Sequence, residues 1–184
     1  MRASFDKSRS DRELVDAVLE RKDERAFLEL HRRHTPRLFA LVARLLARGD
    51  DEAEDVVQET WIRAFENLDR FEWNSAFATW LTGIALNRVR NRIRSYARSR
   101  ETVVEIVPDI AVVPDRHEAR IDLERMIARL PDEQRMVFVL HDVEGMKHRE
   151  IAEYLDIPEG TSKTHLSNAR RWLCAMMPGE GAQA

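Results

Sequence analysis

The chain has 184 residues, 43% hydrophobic and 34% charged, with a formal net charge of −3. That length holds one domain or two small ones, and the composition suits a soluble helical protein. The single cysteine, Cys174, excludes an intramolecular disulfide; no run is apolar enough to span a bilayer, and no signal-peptide pattern opens the chain.

Residues 1–9 read as a loose polar arm. Ser10 and Glu13 then form the S-x-x-E capping pattern ahead of Leu14, Val15, Val18 and Leu19, which predicts a helix start. A second helical run covers about 24–48, with Pro36 at a kink or break and Gly49 at its end. A third helix is predicted over about 52–68. Ala53, Val57, Trp61, Ala64, Phe65 and Leu68 form its buried stripe, and Asp55, Gln58, Glu59, Ile62, Arg63 and Glu66 lie outside. The next segment is aromatic, with Phe71, Trp73, Phe77 and Trp80. A fourth helix follows over about 76–96, with Leu81, Ala85, Val89 and Ile93 on one side and Asn87, Arg90 and Arg94 on another. Helix spacing puts Trp61 and Trp80 in the core.

Helical periodicity is lost over 99–117. Val103, Val104, Ile106 and Val107 suggest a strand, but Pro108, Pro114 and the lack of a partner strand favour an extended linker. Periodicity resumes at Ile121, and Pro131 opens a further helix at its first position, with Met136, Val137 and Leu140 as its apolar face. The last stretch reads as a helix-turn-helix. Ile151, Ala152 and Leu155 give the first helix an apolar side; Asp156 to Gly160 supplies a turn with Pro158 and Gly160; Thr161 or Ser162 can cap the second helix. Ser162, Leu166, Ala169 and Leu173 share one face of that helix, and Lys163, Thr164, Ser167, Asn168 and Arg171 the other. A polar, partly basic face presented by a tight turn is what entry into a major groove requires. The fold class is therefore all-α: two small helical domains joined by an extended linker, the second containing the helix-turn-helix.

Charge is segregated along the chain. Asp50, Asp51, Glu52, Glu54, Asp55 and Glu59 gather without a base; Arg88, Arg90, Arg92, Arg94, Arg98 and Arg100 gather without an acid. Opposed single-sign segments point to two partners, one basic and one anionic, and this distribution matters more than the net charge.

Three blocks in this order, AEDVVQET (53–60), WLTGIALNR (80–88) and LPDEQR…EGTSK (130–163), resemble the extracytoplasmic-function sigma factors, the two-domain initiation factors of bacterial RNA polymerase. The resemblance spans about 14–173. It implies an arm (1–9), sigma region 2 (10–97), a linker (98–117), sigma region 4 (118–177) and a tail (178–184). By resemblance, Asp55, Gln58, Glu59 and Arg63 would dock on a basic coiled coil of the polymerase clamp. Trp73 lies in the base-capture loop, and Asn87, Arg88, Arg90 and Arg94 lie beside the −10 element. Lys163, Thr164, Ser167, Asn168 and Arg171 would read the −35 element, with Lys147 and Arg149 on the backbone. Asn168 stands where many members carry Arg, and Ser162 where Val is commoner. The partners implied are core RNA polymerase, promoter DNA and an anti-sigma factor, itself membrane-bound in some cases. The protein is expected in the bacterial cytoplasm, without membrane insertion, cofactor, metal or catalysis of its own. The linker would thread along the polymerase near the RNA exit path.

Two rival classes fit the sequence less well. For an enzyme, His31 and His34, and His141 and His148, lack a Cys or carboxylate cluster at ligand spacing, Cys174 has no base in obvious reach, and no phosphate loop or nucleophile elbow is present. The second rival is a helix-turn-helix regulator acting without being a polymerase subunit. It would bind duplex operator alone, whereas a sigma factor binds promoter DNA poorly until core polymerase holds both domains.

Overall fold

The computed structural model describes residues 9–100 and 123–176, and every described secondary-structure element is helical. Most of the predicted arm and linker, the resumption at Ile121 and the tail fall outside the described residues. The chain divides into two compact units, Met1–Val42 with Asp50–Arg88, and Ala43–Gly49 with Val89–Ala184.

In the first unit, α1 (Asp11–Arg21) starts with the capping box its sequence predicts. The Glu13 amide donates to the Ser10 Oγ at 3.3 Å, and the Ser10 amide donates to the Glu13 carboxylate at 2.6 Å. Lys22 closes the helix in the left-handed region, φ 50°. Asp23 then accepts from the Arg25 and Ala26 amides at 3.0 and 3.3 Å, which satisfies free donors at the start of α2 (Glu24–Leu46). α2 runs through Pro36 without ending, so that residue does not break the helix. α3 (Asp50–Glu66) follows, then a 3₁₀ turn (Leu68–Arg70) and α4 (Phe77–Arg100). Leu14, Val15, Leu30, Val56, Phe77 and Leu81 are among the most buried side chains. Burying each large apolar group contributes roughly 1.5–3 kcal/mol against leaving it exposed.

One prediction for α3 needs correction. Phe65, placed on the buried stripe, is 58% exposed, and Val56 and Thr60 are buried instead. At about 100° per residue, Phe65 lies roughly 110° from the centre of the face made by Ala53, Val57, Thr60 and Ala64. Trp61 is core, as its spacing predicts, and its indole N–H donates to Thr35 Oγ1 at 3.0 Å.

In the second unit, residues 123–128 are helical as α5. α6 (Asp132–Phe138) follows, with Pro131 one place earlier than predicted, at the cap rather than inside the helix. The next turn widens into a π-helical stretch, Val139–Val143, where the Glu144 amide donates to Val139 O at 3.0 Å. Gly145, φ 72°, then turns the chain left-handed into Met146. α7 (His148–Leu155) and α8 (Glu159–Met176) complete the unit, and α8 packs on both α6 and α7. Arg135, only 3% exposed, is tied into the unit by its guanidinium: it donates to Leu45 O (2.9 Å), Leu46 O (3.0 Å) and Leu130 O (2.8 Å), and pairs with Asp132. A buried cation is tolerable only when its donors are met in this way.

Candidate nucleic-acid interface

The acidic residues of α3 stand on its outer side. Asp55, Gln58 and Arg63 are exposed, while Glu59 is half-buried with its carboxylate 3.9 Å from Arg88 Nη1. Arg63 pairs with Glu66 at 3.0 Å. Ile62 and Phe65, 52% and 58% exposed, add apolar area to this charged side. A groove of about 600 Å³ runs beside them, lined by Phe27, His31, Gln58 and Trp61 among others. His31 stacks at a tilt on Trp61, centroids 4.9 Å apart, and His34 lies 5.2 Å from the Phe77 ring. Among the described residues no group of three His, Cys, Asp or Glu could hold a metal.

The segment joining the 3₁₀ turn to α4 forms an aromatic cluster. Phe71 stacks on Trp80 at 4.8 Å and 26°, Phe77 lies 5.6 Å from Trp80, and Trp73 lies 4.6 Å from Phe71. Trp80 is half-buried, less enclosed than its predicted core position. Trp73 is half-buried at φ 59°, a left-handed conformation that costs a bulky residue on the order of 1–3 kcal/mol. The Arg12 guanidinium from α1 stands over the Trp73 ring, 5.2 Å from its centroid. Sequence reasoning missed Arg12, because a contact over that separation leaves no local signal.

The predicted residues of α4 fall on both sides of the division between the units. Asn87 is exposed and Arg88 half-buried in the first. In the second, Arg90 donates to Tyr154 O at 3.1 Å, and Arg94 lies 3.8 Å from Asp156. The described α4 extends four residues beyond the predicted end, to Arg100.

The helix-turn-helix is built as its periodicity predicts. Ile151 and Leu155 of α7 are buried, Ala152 is half-buried, and Asp156, φ 57°, closes α7 in the left-handed region. Ser162, Leu166, Ala169 and Leu173 are all buried on α8. Lys163, Thr164, Ser167 and Arg171 are exposed, and Asn168 is half-buried with its Oδ1 accepting from Arg171 at 2.8 Å. Lys163 pairs with Glu159 at 2.6 Å, and its hydrogen bond holds that carboxylate below the ordinary range. Lys147 and Arg149 are exposed around the start of α7. The cap assignment is corrected: α8 begins at Glu159, and the Ser162 amide donates to Pro158 O at 3.1 Å, so Gly160, Thr161 and Ser162 already lie in its first turn. Ser162 instead packs, fully buried, with its hydroxyl 2.9 Å from His148 Nδ1.

The comparisons with known proteins agree with this layout. Residues 30–99 match sigma-70 region 2 and residues 120–173 match sigma-70 region 4. The chain is 33% identical to the ECF RNA polymerase sigma factor SigM of Mycobacterium tuberculosis over 92% of its own length and 85% of the relative's. It is also 33% identical to the ECF RNA polymerase sigma-E factor of Escherichia coli, over 88% and 91% of the two chains. Among solved structures it resembles the sigma factor RpoE in complex with the anti-sigma factor NepR from Bartonella quintana, with a TM-score of 0.64, 25% identity, and 84% and 98% of the chains covered. It also resembles CnrH in complex with the cytosolic domain of CnrY, with a TM-score of 0.58, 28% identity, and 93% and 99% covered. A family signature at each end, relatives aligned along nearly the whole chain and an exposed polar face on the second helix of the turn motif lead to one conclusion: the chain belongs to the family of ECF RNA polymerase sigma factors, initiation factors that direct core polymerase to promoters.

Proposed function

We propose that this sigma factor divides its work among three surfaces. The α3 face carrying Asp55, Gln58, Glu59 and Arg63 docks on a basic element of core polymerase. Exposed acids give that contact orientation and association rate, and the adjoining Ile62 and Phe65 supply apolar area of the kind that marks protein docking sites. Trp73 captures an unpaired base of the −10 element, while Asn87, Arg88, Arg90 and Arg94 hold the strand. A partly exposed indole offers a stacking face, and arginines offer phosphate contacts. Lys163, Thr164, Ser167, Asn168 and Arg171 read the −35 element, with Lys147 and Arg149 on its backbone.

The observation that carries this reading is α8 itself: a polar, partly basic face over a fully buried stripe, reached by a three-residue turn from α7. Region 2 then spans 10–97 and region 4 spans 118–177, joined by the 98–117 linker. The protein acts in the bacterial cytoplasm on stress-type promoters and has no catalysis of its own. An anti-sigma factor restrains it, as NepR and CnrY accompany the two similar structures. No described helix is long and apolar enough to cross a membrane, so a membrane link would come through that partner.

The test is binding of promoter fragments with substituted −10 or −35 elements to polymerase assembled with the wild type, Asp55→Lys or Arg171→Ala. Asp55→Lys should lose polymerase binding. Arg171→Ala should assemble normally and lose discrimination at the −35 element alone. Equal discrimination by Arg171→Ala and wild type would refute the −35 assignment. A helix-turn-helix regulator would bind duplex as tightly without polymerase as with it.

A further inference from the structure

A cluster of ionisable side chains ties the first helix of the turn motif to the second. His148 opens α7 between the exposed cations Lys147 and Arg149. Its Nδ1 lies 2.9 Å from the Ser162 Oγ. Because Ser162 is fully buried on the packing stripe of α8, this contact answers a hydroxyl that water does not reach. The His141 ring stacks on His148, with centroids 4.5 Å apart and planes 28° apart. His141 Nδ1 lies 2.7 Å from Asp142 Oδ1, and Asp142 accepts two hydrogen bonds from Arg170 of α8, at 2.9 and 2.7 Å. The network runs Ser162, His148, His141, Asp142, Arg170, starting and ending on α8.

The groups facing His148 are unevenly signed. From the π-helical stretch come His141 and, behind it, Asp142, whose charge is already engaged by Arg170. From α8 come Lys163 and Arg170 as cations, and Glu159 as the one anion, itself paired with Lys163. Burial first, then His141 and Lys163, hold His148 below the ordinary histidine range; Glu159 acts against them and Arg170 adds to them. The free protein therefore keeps the imidazole neutral near pH 7. With its proton on Nε2, the ring accepts from the Ser162 hydroxyl through Nδ1.

A phosphate brought to Lys147 or Arg149 changes that balance, because it offsets the cationic surroundings and favours imidazolium. We propose that His148 takes up a proton as the second unit engages the −35 element, so that promoter binding tightens as pH falls below neutrality. The proposal rests on the −35 assignment made above. Ser162 suits both states: its hydroxyl donates to neutral His148 and, after rotation, accepts from the protonated ring. A valine at that position could do neither. His148 is thus a positioning residue for the recognition helix, acting through Ser162.

The experiment measures the affinity of the assembled polymerase for a promoter fragment from about pH 5.5 to 8 at fixed salt. Wild type, His148→Gln and a fragment with a scrambled −35 element are compared, and the polymerase's own titration cancels in the ratio of the two proteins. The wild type should gain about three- to tenfold over His148→Gln across the window, since uptake of one proton sets a ceiling of ~1 decade per pH unit. Parallel pH curves for the two proteins, with −35 discrimination intact, would overturn the proton uptake and leave the −35 reading standing. Equal binding of intact and scrambled fragments at every pH would sink that reading and the proposal with it. A separate check on the full wild-type chain keeps the idea testable if His148→Gln folds poorly. The His148 ring resonance in the free protein should titrate below the usual histidine range, and titration within that range would contradict the proposal.

Discussion

Trp73 and Asn168 stand on backbones of opposite character. Trp73 is held at φ 59° in an irregular segment, with Phe71 tilted against its ring and Arg12 standing over it. Asn168 lies in the regular interior of α8, one turn from Thr164 and Arg171, above a stripe that is wholly buried. The difference follows from what each surface is proposed to meet. An unpaired base needs an apolar ring face that is partly open to solvent, and only a strained loop keeps an indole there when burial would otherwise claim it. A duplex needs a rigid rod of polar groups at fixed spacing, and a packed helix supplies that without strain.

Substitutions can break or sharpen this contrast. The largest effect should come from Phe77→Ala. That ring is 2% exposed beneath the aromatic cluster, and its loss should cost about 3–5 kcal/mol in denaturant unfolding and abolish promoter opening. Trp73→Gly separates function from stability. Glycine relieves the left-handed strain but gives up the contacts with Phe71 and Arg12, so unfolding free energy should change by less than about 1 kcal/mol. Opening, read by a fluorescent base analogue in the −10 element, should weaken by about 1–3 kcal/mol. Equal loss of both would show that the ring is structural. Asn168→Ala should cost a similar ~1–3 kcal/mol, but at a single −35 base pair, with normal melting of a promoter already opened in that region. Loss of melting without loss of base preference would reverse the two roles.

The smallest effect is on stability against pH. The folded pKa of His148 lies below its unfolded value of about 6.5. The unfolded chain therefore binds more protons there, and the contribution, complete above that value, is lost as pH falls from about 6.5 through the folded pKa. His148→Gln should flatten the melting-temperature profile in that window. Asp142 is also lowered, chiefly by its hydrogen bond from Arg170, so its contribution persists to more acidic pH and disappears only as pH falls below the ordinary carboxylate range. An unchanged profile would mean that His148 is not held neutral by its surroundings.

Much of this was legible in the sequence where one rule governs. The α8 stripe of Ser162, Leu166, Ala169 and Leu173 and the Ser10–Glu13 capping box follow from helical period and cap chemistry alone. Errors arose where tertiary neighbours choose between acceptable alternatives. Phe65 is apolar enough for the core, yet it sits beside the stripe, where its ring meets Phe27 of α2 edge-on and stays 58% exposed. Thr161 and Ser162 are good caps, but Pro158 lets the helix start earlier, and Ser162 is drawn into a bond with His148. The π-helical widening at Val139–Val143 carries no periodic signature in so short a stretch, and it is what places His141 against His148. Of the proposed site, the polar face of α8 was fully readable. Arg12 over Trp73 was not, because only the fold brings them together.

Run-off transcription from a pool of promoter fragments, with purified core polymerase and with or without this protein, tests the central claim most directly. The account predicts discrete transcripts that require the protein, with a common −35 and −10 pair upstream of their starts. Tight duplex binding by the protein alone, with no protein-dependent transcript, would contradict it.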